Sequence, residues 1–110
     1  MKEASEIKPS YAPVYAAAMY PSLCKIFHKH GYALAVHGSL ARDFDCIAVP
    51  WTVGCSTHAA VIAEMMAEYA VHQIGEPEQK PNGRIAYTFS VGFGMCALDL
   101  SFTPTGKETK

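Results

Sequence analysis

Between Ile74 and Arg84 the chain reads Gly-Glu-Pro-Glu-Gln-Lys-Pro-Asn-Gly. Two prolines withdraw backbone donors there, and the Asn-Gly pair favours a turn. This break predicts a loop over 76–83 and divides the chain into a longer front part and a short rear part. In the front part, alanines and apolar residues (Val14, Ala17, Ala18, Leu23, Ile26, Phe27) predict a helix over 13–30. Pro21 either restarts or kinks it. Gly31 stops it, and Lys25, His28, Lys29 and His30 suit its negative end. Short apolar runs predict strands over 32–37 and 43–51, the second closed by Pro50. After a loop over 52–57, Ser56 or Thr57 caps a second helix expected to reach about residue 74, with Ala60, Val61, Met65, Tyr69 and Val71 on one face. In the rear part, 84–91 and 95–102 read as two strands joined at Gly92-Phe93-Gly94 into a hairpin. The expected order is α-β-β-α-β-β. That is an α+β fold: a small mixed four-stranded sheet with two main helices.

Composition narrows the classes. With 110 residues the chain is read as a single domain over 1–110, with loosely held ends at 1–10 and 103–110. Half the residues are hydrophobic and 17% are charged, which is globular and not disordered. Nine basic and ten acidic residues give a net charge of −1, so no basic excess announces nucleic-acid binding. No apolar run reaches the roughly 18 residues of a membrane span, and the polar start MKEASEIKPS has no signal-peptide core. The expectation is a cytoplasmic protein with no membrane contact. Cys24, Cys46, Cys55 and Cys96 are spread singly with no CxxC pair, which argues against a zinc ribbon or a thioredoxin-like motif. They are expected to be reduced and structural.

Three aspartates stand out. Asp43 and Asp45, two apart at the start of a strand, share a face. Asp99 lies inside Cys96-Ala-Leu-Asp-Leu-Ser-Phe102, where an aspartate is costly to bury without compensation. If the two strands are neighbours, three carboxylates converge. Their mutual repulsion calls for a cation between them, and Mg²⁺ suits oxygen ligands and phosphate partners. A shared ion needs Asp99 within about 8 Å of Asp45, because Mg–O bonds are only about 2.1 Å long. Just upstream, Gly38 allows close backbone approach to a phosphate, Ser39 adds a hydroxyl, and Arg42 offers a bidentate fork. His37 stands beside them as an accessory ligand or base. The plainer reading of the same residues is a turn aspartate, a strand aspartate paired with Arg42, and a solvent-facing Asp99.

Val36-His-Gly-Ser39, then Asp43-Phe-Asp45, then the lone Asp99 on a later apolar strand resemble the nucleotidyltransferase superfamily of the polymerase-beta type. The stretch HGSLARDFDCIAVPW also looks like small phage and prophage proteins of this kind. The resemblance covers residues 33–51 well and 98–100 weakly. It implies a minimal nucleotidyltransferase-like fold that binds a nucleoside triphosphate with Mg²⁺ and moves a nucleoside monophosphate onto an acceptor. It assigns Gly38 and Ser39 to the phosphates, and Asp43, Asp45 and Asp99 to the metal and to catalysis. One departure is plain: only Leu40, Ala41 and Arg42 separate Gly-Ser from the first aspartate, where the family has a longer segment. A domain this small must borrow acceptor contacts from a partner or a second copy of itself. The alternative implied is a catalytically silent relative that binds a host protein, such as a defence enzyme, or sequesters a nucleotide.

Other residues carry less. Trp51 after Pro50 reads as a core or interface aromatic before a base-stacking one. His28 and His30 read as solvated at a helix end. His58 and His72, fourteen apart, share a helix face but cannot hold one metal. The open strand edges of a small sheet leave a homodimer as a further expectation.

Overall fold

The structure, a computed structural model, describes residues 11–92 and 94–104. Its elements are α1 (Ala12–Lys29), β1 (Tyr32–His37), β2 (Phe44–Pro50), α2 (His58–Glu68), β3 (Val71–Gln79), a single 3₁₀ turn (Pro81–Gly83), β4 (Ile85–Val91) and β5 (Cys96–Phe102). The class is α+β, with two helices against one mixed sheet. The sheet has five strands in the order β1-β2-β5-β4-β3, which corrects the expected four.

α1 is one continuous helix. Its buried residues Ala12, Ala16, Met19, Leu23, Ile26 and Phe27 recur at helical spacing and form one stripe. A proline stands in its first turn, where the missing donor costs nothing. Pro21 lies inside the helix on the exposed side and does not split it. α2 begins at Thr57, whose side chain accepts a hydrogen bond from the Ala60 N–H at 3.2 Å. It ends at Glu68, six residues short of the expectation, because Tyr69 turns to extended backbone (φ −127°, ψ 152°).

The missing strand is β3. Val71, expected on a helix face, is instead the one buried residue of a nine-residue edge strand paired antiparallel with β4. The expected loop over 76–83 shrinks accordingly, since Gln79 still pairs with Ile85. Pro77 fits because β3 is an edge strand, where a missing donor breaks few ladder bonds, and the register shifts between Ile74 and Glu78. The β4–β5 hairpin is present, with Val91 opposite Cys96. The ends 1–10 and 105–110, and Phe93 of the hairpin turn, lie outside the described residues. Thr103, expected at the start of a loose tail, donates its N–H to the Ala48 carbonyl at 3.1 Å.

Both helices cover one sheet face. Beneath them lie Tyr32 and Leu34 of β1, Phe44, Cys46 and Ala48 of β2, Leu98, Leu100 and Phe102 of β5, and Phe89 and Val91 of β4, all buried. Phe27 meets the rings of Phe102 and Tyr32 at centroid distances of 6.1 and 6.4 Å. Strand alternation then sends Asp43, Asp45, Ala97 and Asp99 to the opposite face, which neither described helix covers. No described helix is long and apolar enough to cross a membrane.

Candidate functional site

The centre of the sheet positions the aspartates. β2 and β5 run parallel as neighbours, with Asp45 in register with Asp99. Asp43 sits at the head of β2. One ligand oxygen from each of Asp43, Asp45 and Asp99 lies within 4.8 Å of the other two. The expected convergence of these three side chains is therefore present. They lie on the face away from the described helices, and none is fully buried.

Their electrostatics follow from the crowding. Partial burial, then the nearby Asp99 carboxylate, holds Asp43 above the usual carboxylate range, and Arg42 opposes this. Burial, then contact with Asp45, raises Asp99, and the Thr88 hydroxyl works the other way. Like charges packed together favour a proton on one of them. An added cation would remove that preference.

The loop over 38–43 borders the cluster. Gly38 has φ +79°, and a Cβ there would stand 2.6 Å from Asp45 Oδ2. The glycine thus lets β1 end directly against the carboxylate. Leu40 also adopts a left-handed backbone, with φ +60°. That is uncommon for a leucine and marks a strained loop beside the carboxylates. The Ala41 N–H donates to Ser39 Oγ at 3.2 Å, so this hydroxyl is engaged within the loop. Arg42 is exposed and acts on Asp43 through charge. His37 pairs with Asp45 across β1 and β2, on the same face.

One neighbour was missed in the sequence. Thr88 of β4 lies opposite Asp99 and donates its hydroxyl to Asp99 Oδ1 at 3.3 Å. The hairpin register carried that signal: pairing Val91 with Cys96 puts Thr88 beside Asp99. The remaining candidates fall elsewhere. Trp51 stacks on His28 with centroids 4.7 Å apart and is 57% exposed, so it is a surface aromatic and not a core one. His30 is not solvated: its ring bridges Ser56 Oγ at 2.7 Å and Glu64 Oε1 at 2.8 Å. His58 stacks on Phe102, and His72 lies on β3. All four cysteines are free thiols, and burial pushes Cys46 up to about 12.

The donor set is hard oxygen throughout, the type that Mg²⁺ prefers. Oxygens on one Mg²⁺ stand about 3 to 4 Å apart, given bonds of about 2.1 Å. The 4.8 Å envelope is wider, so the carboxylates would have to draw together on an ion. Asp43, Asp45 and Asp99 are the residues that could hold such an ion. No family model, curated protein or solved structure matches the chain.

Proposed function

We propose that this chain is a minimal nucleotidyltransferase-like domain that binds a nucleoside triphosphate with Mg²⁺ and transfers a nucleoside monophosphate to an acceptor hydroxyl. The observation that carries the reading is the gathering of Asp43, Asp45 and Asp99 on one sheet face, their ligand oxygens within 4.8 Å of one another, beside a glycine-containing loop. In the reaction, the acceptor oxygen bonds to the α-phosphorus, the bond from that phosphorus to the bridging oxygen breaks, and pyrophosphate leaves. Asp43 and Asp45 would hold the ion, and bound Mg²⁺ would supply charge neutralisation on the phosphate oxygens. Asp99, in register beside Asp45, would be the carboxylate that takes the acceptor's proton. Gly38 and Ser39 would face the phosphates with backbone N–H groups, Arg42 would steer the triphosphate, and His37 flanks the site.

A second reading has its own support. The loop over 38–43 enters β2 with no helix after Gly-Ser, and Ser39 Oγ is already bonded to the Ala41 N–H. A short cradle of this kind favours a catalytically silent binding module directed at a host protein or a nucleotide. Calorimetric titration with ATP, GTP, CTP and UTP, with and without Mg²⁺, tests the first reading, with Asp45→Ala as control. The expected result is Mg²⁺-dependent binding that the substitution abolishes. Absence of binding to all four nucleotides refutes the enzyme reading for this chain and leaves the binding module, to be pursued by pull-down of a protein partner.

A further inference from the structure

Where the end of α1 meets α2, three side chains form a hydrogen-bonded relay. His30 caps the C-terminus of α1, Ser56 stands in the loop before α2, and Glu64 lies inside α2. His30 Nδ1 meets Ser56 Oγ at 2.7 Å, and its Nε2 meets Glu64 Oε1 at 2.8 Å. Lys29 pairs with the other Glu64 oxygen. Lys29, then His30, holds Glu64 below the usual carboxylate range, so it is ionised and only accepts. That places the proton of a neutral His30 ring on Nε2. Nδ1 is left as an acceptor, and the Ser56 hydroxyl donates to it. Anchoring alone does not call for this relay. Ser56 is already held by its backbone: its N–H donates to the His30 carbonyl at 2.8 Å, and its carbonyl accepts from the Tyr32 hydroxyl at 2.6 Å. All three relay residues are half-buried, so solvent and a small molecule can reach them.

We propose that Ser56, His30 and Glu64 form a second site, an acyl-transfer centre that hydrolyses small carboxylic esters. Ser56 is the nucleophile, His30 the general base and Glu64 the positioning residue. A hydroxyl that donates to an imidazole whose far nitrogen is held by a carboxylate is the arrangement that activates serine. The ring nitrogens are exchanged relative to the Ser-His-Asp template, but either nitrogen can take the proton once the other is held. Ser56 Oγ bonds to the ester carbonyl carbon as its proton passes to His30 Nδ1. The adduct collapses, the bond from that carbon to the alkoxy oxygen breaks, and the alcohol leaves with the proton from Nδ1. Water then attacks the acyl-serine, gives a proton to the same nitrogen, and releases the carboxylic acid with Ser56 restored. Ser56 lies two residues before α2, so the developing oxyanion would stand at the positive end of that helix. The substrate is a small ester because Ser56 is only partly exposed. The proposal does not rest on nucleotide binding.

Incubation of the full chain with a fluorophosphonate probe, in EDTA to keep divalent cations out, followed by peptide mass spectrometry, tests it. Ser56 Oγ should bond to the probe's phosphorus with loss of fluoride, and the adduct should map to Ser56. His30→Gln should lower the maximal labelling rate about 100-fold, and Glu64→Gln about tenfold or more. Both should leave the half-saturating probe concentration unchanged, which a merely structural role would not predict. p-Nitrophenyl acetate should release a burst of about one equivalent of p-nitrophenol, lost in Ser56→Ala. Each variant is checked for folding by circular dichroism, and Ser56→Ala removes a single oxygen. A wild type that takes no adduct, an adduct on another residue, or a burst that survives Ser56→Ala would each overturn the proposal.

Discussion

Neutralising Asp99 should stabilise this protein in the absence of divalent cations and abolish its response to them. Even at the 4.8 Å outer limit, two carboxylate charges repel by about 3.5 kcal/mol at an effective dielectric of 20, and by about 0.9 kcal/mol in water. The cluster is partly open to solvent, so the lower end applies, about 1 kcal/mol per pair. Asp99→Asn removes two such pairs, keeps an acceptor for Thr88, and is nearly isosteric. The expected gain is about 2 kcal/mol, which raises Tm by roughly 10 °C for a domain of this size. The pH dependence has a definite sign. Asp43 and Asp99 both titrate above the usual carboxylate range, so the folded state holds more protons than the unfolded one there. Their contribution is fully present below the ordinary carboxylate pKa and is lost as pH rises through the raised folded values. The advantage of Asp99→Asn should therefore be largest near pH 7 and vanish near pH 3. Mg²⁺ at tenfold its dissociation constant should restore about 1.4 kcal/mol to the wild type and nothing to the variant. Thermal and urea unfolding in EDTA and in Mg²⁺ at both pH values reads all of this. If Asp99→Asn in EDTA at pH 7 is no more stable than the wild type, the reasoning from carboxylate repulsion is wrong.

Gly38→Ala should cost about 1 to 2 kcal/mol in urea unfolding, from the left-handed backbone and from the Cβ placed 2.6 Å from Asp45 Oδ2. Gly92→Ala should cost more, because its Cβ would fall on the Tyr15 hydroxyl at 1.9 Å in a backbone of φ +63°. Pairing it with Tyr15→Phe, which removes that oxygen, should recover part of the loss. Thr57→Ala deletes the cap of α2 and should lower stability by about 1 kcal/mol, read as a fall in Tm. Glu64 is held below the usual carboxylate range by Lys29 and then His30. Its contribution is present above the ordinary value and is lost as pH falls through the folded value. Glu64→Gln should therefore flatten the acid limb of the stability profile, the opposite sign to the aspartate cluster.

How much of this could be read from the sequence depends on what holds each element. α1 was legible because its own residues carry the buried stripe that defines it. β3 was not. Eight of its nine residues are exposed, and it contains Gly75 and Pro77, so neither alternation nor propensity marks it. Pairing with β4 holds it in place, and pairing is a property of two segments. Val71 illustrates the difference: its apolar side chain fits a continued helix equally well until Tyr69 leaves helical backbone. The shared face of Asp43 and Asp45 followed from strand alternation alone. The approach of Asp99 did not, because β2 and β5 are parallel neighbours that α2, β3 and β4 separate in the chain. Loop-closure entropy makes such a pairing no more probable than its competitors on local grounds.

That placement bears on function. Charges that serve only solubility sit comfortably on helix surfaces and sheet edges, where repulsion is screened and side chains can part. Asp45 and Asp99 instead occupy adjacent inner strands, with β1 on one side and β4 and β3 on the other, where the ladder holds their Cα atoms in register and limits how far the carboxylates can separate. About 2 kcal/mol of repulsion at the centre of the sheet is what a divalent cation brought by a nucleotide would relieve. If such a cation is the natural occupant, Mg²⁺ stabilises the wild type and leaves Asp99→Asn unchanged. A Mg²⁺ titration of both proteins, followed by thermal unfolding, decides it: a wild type whose Tm does not rise refutes the cation.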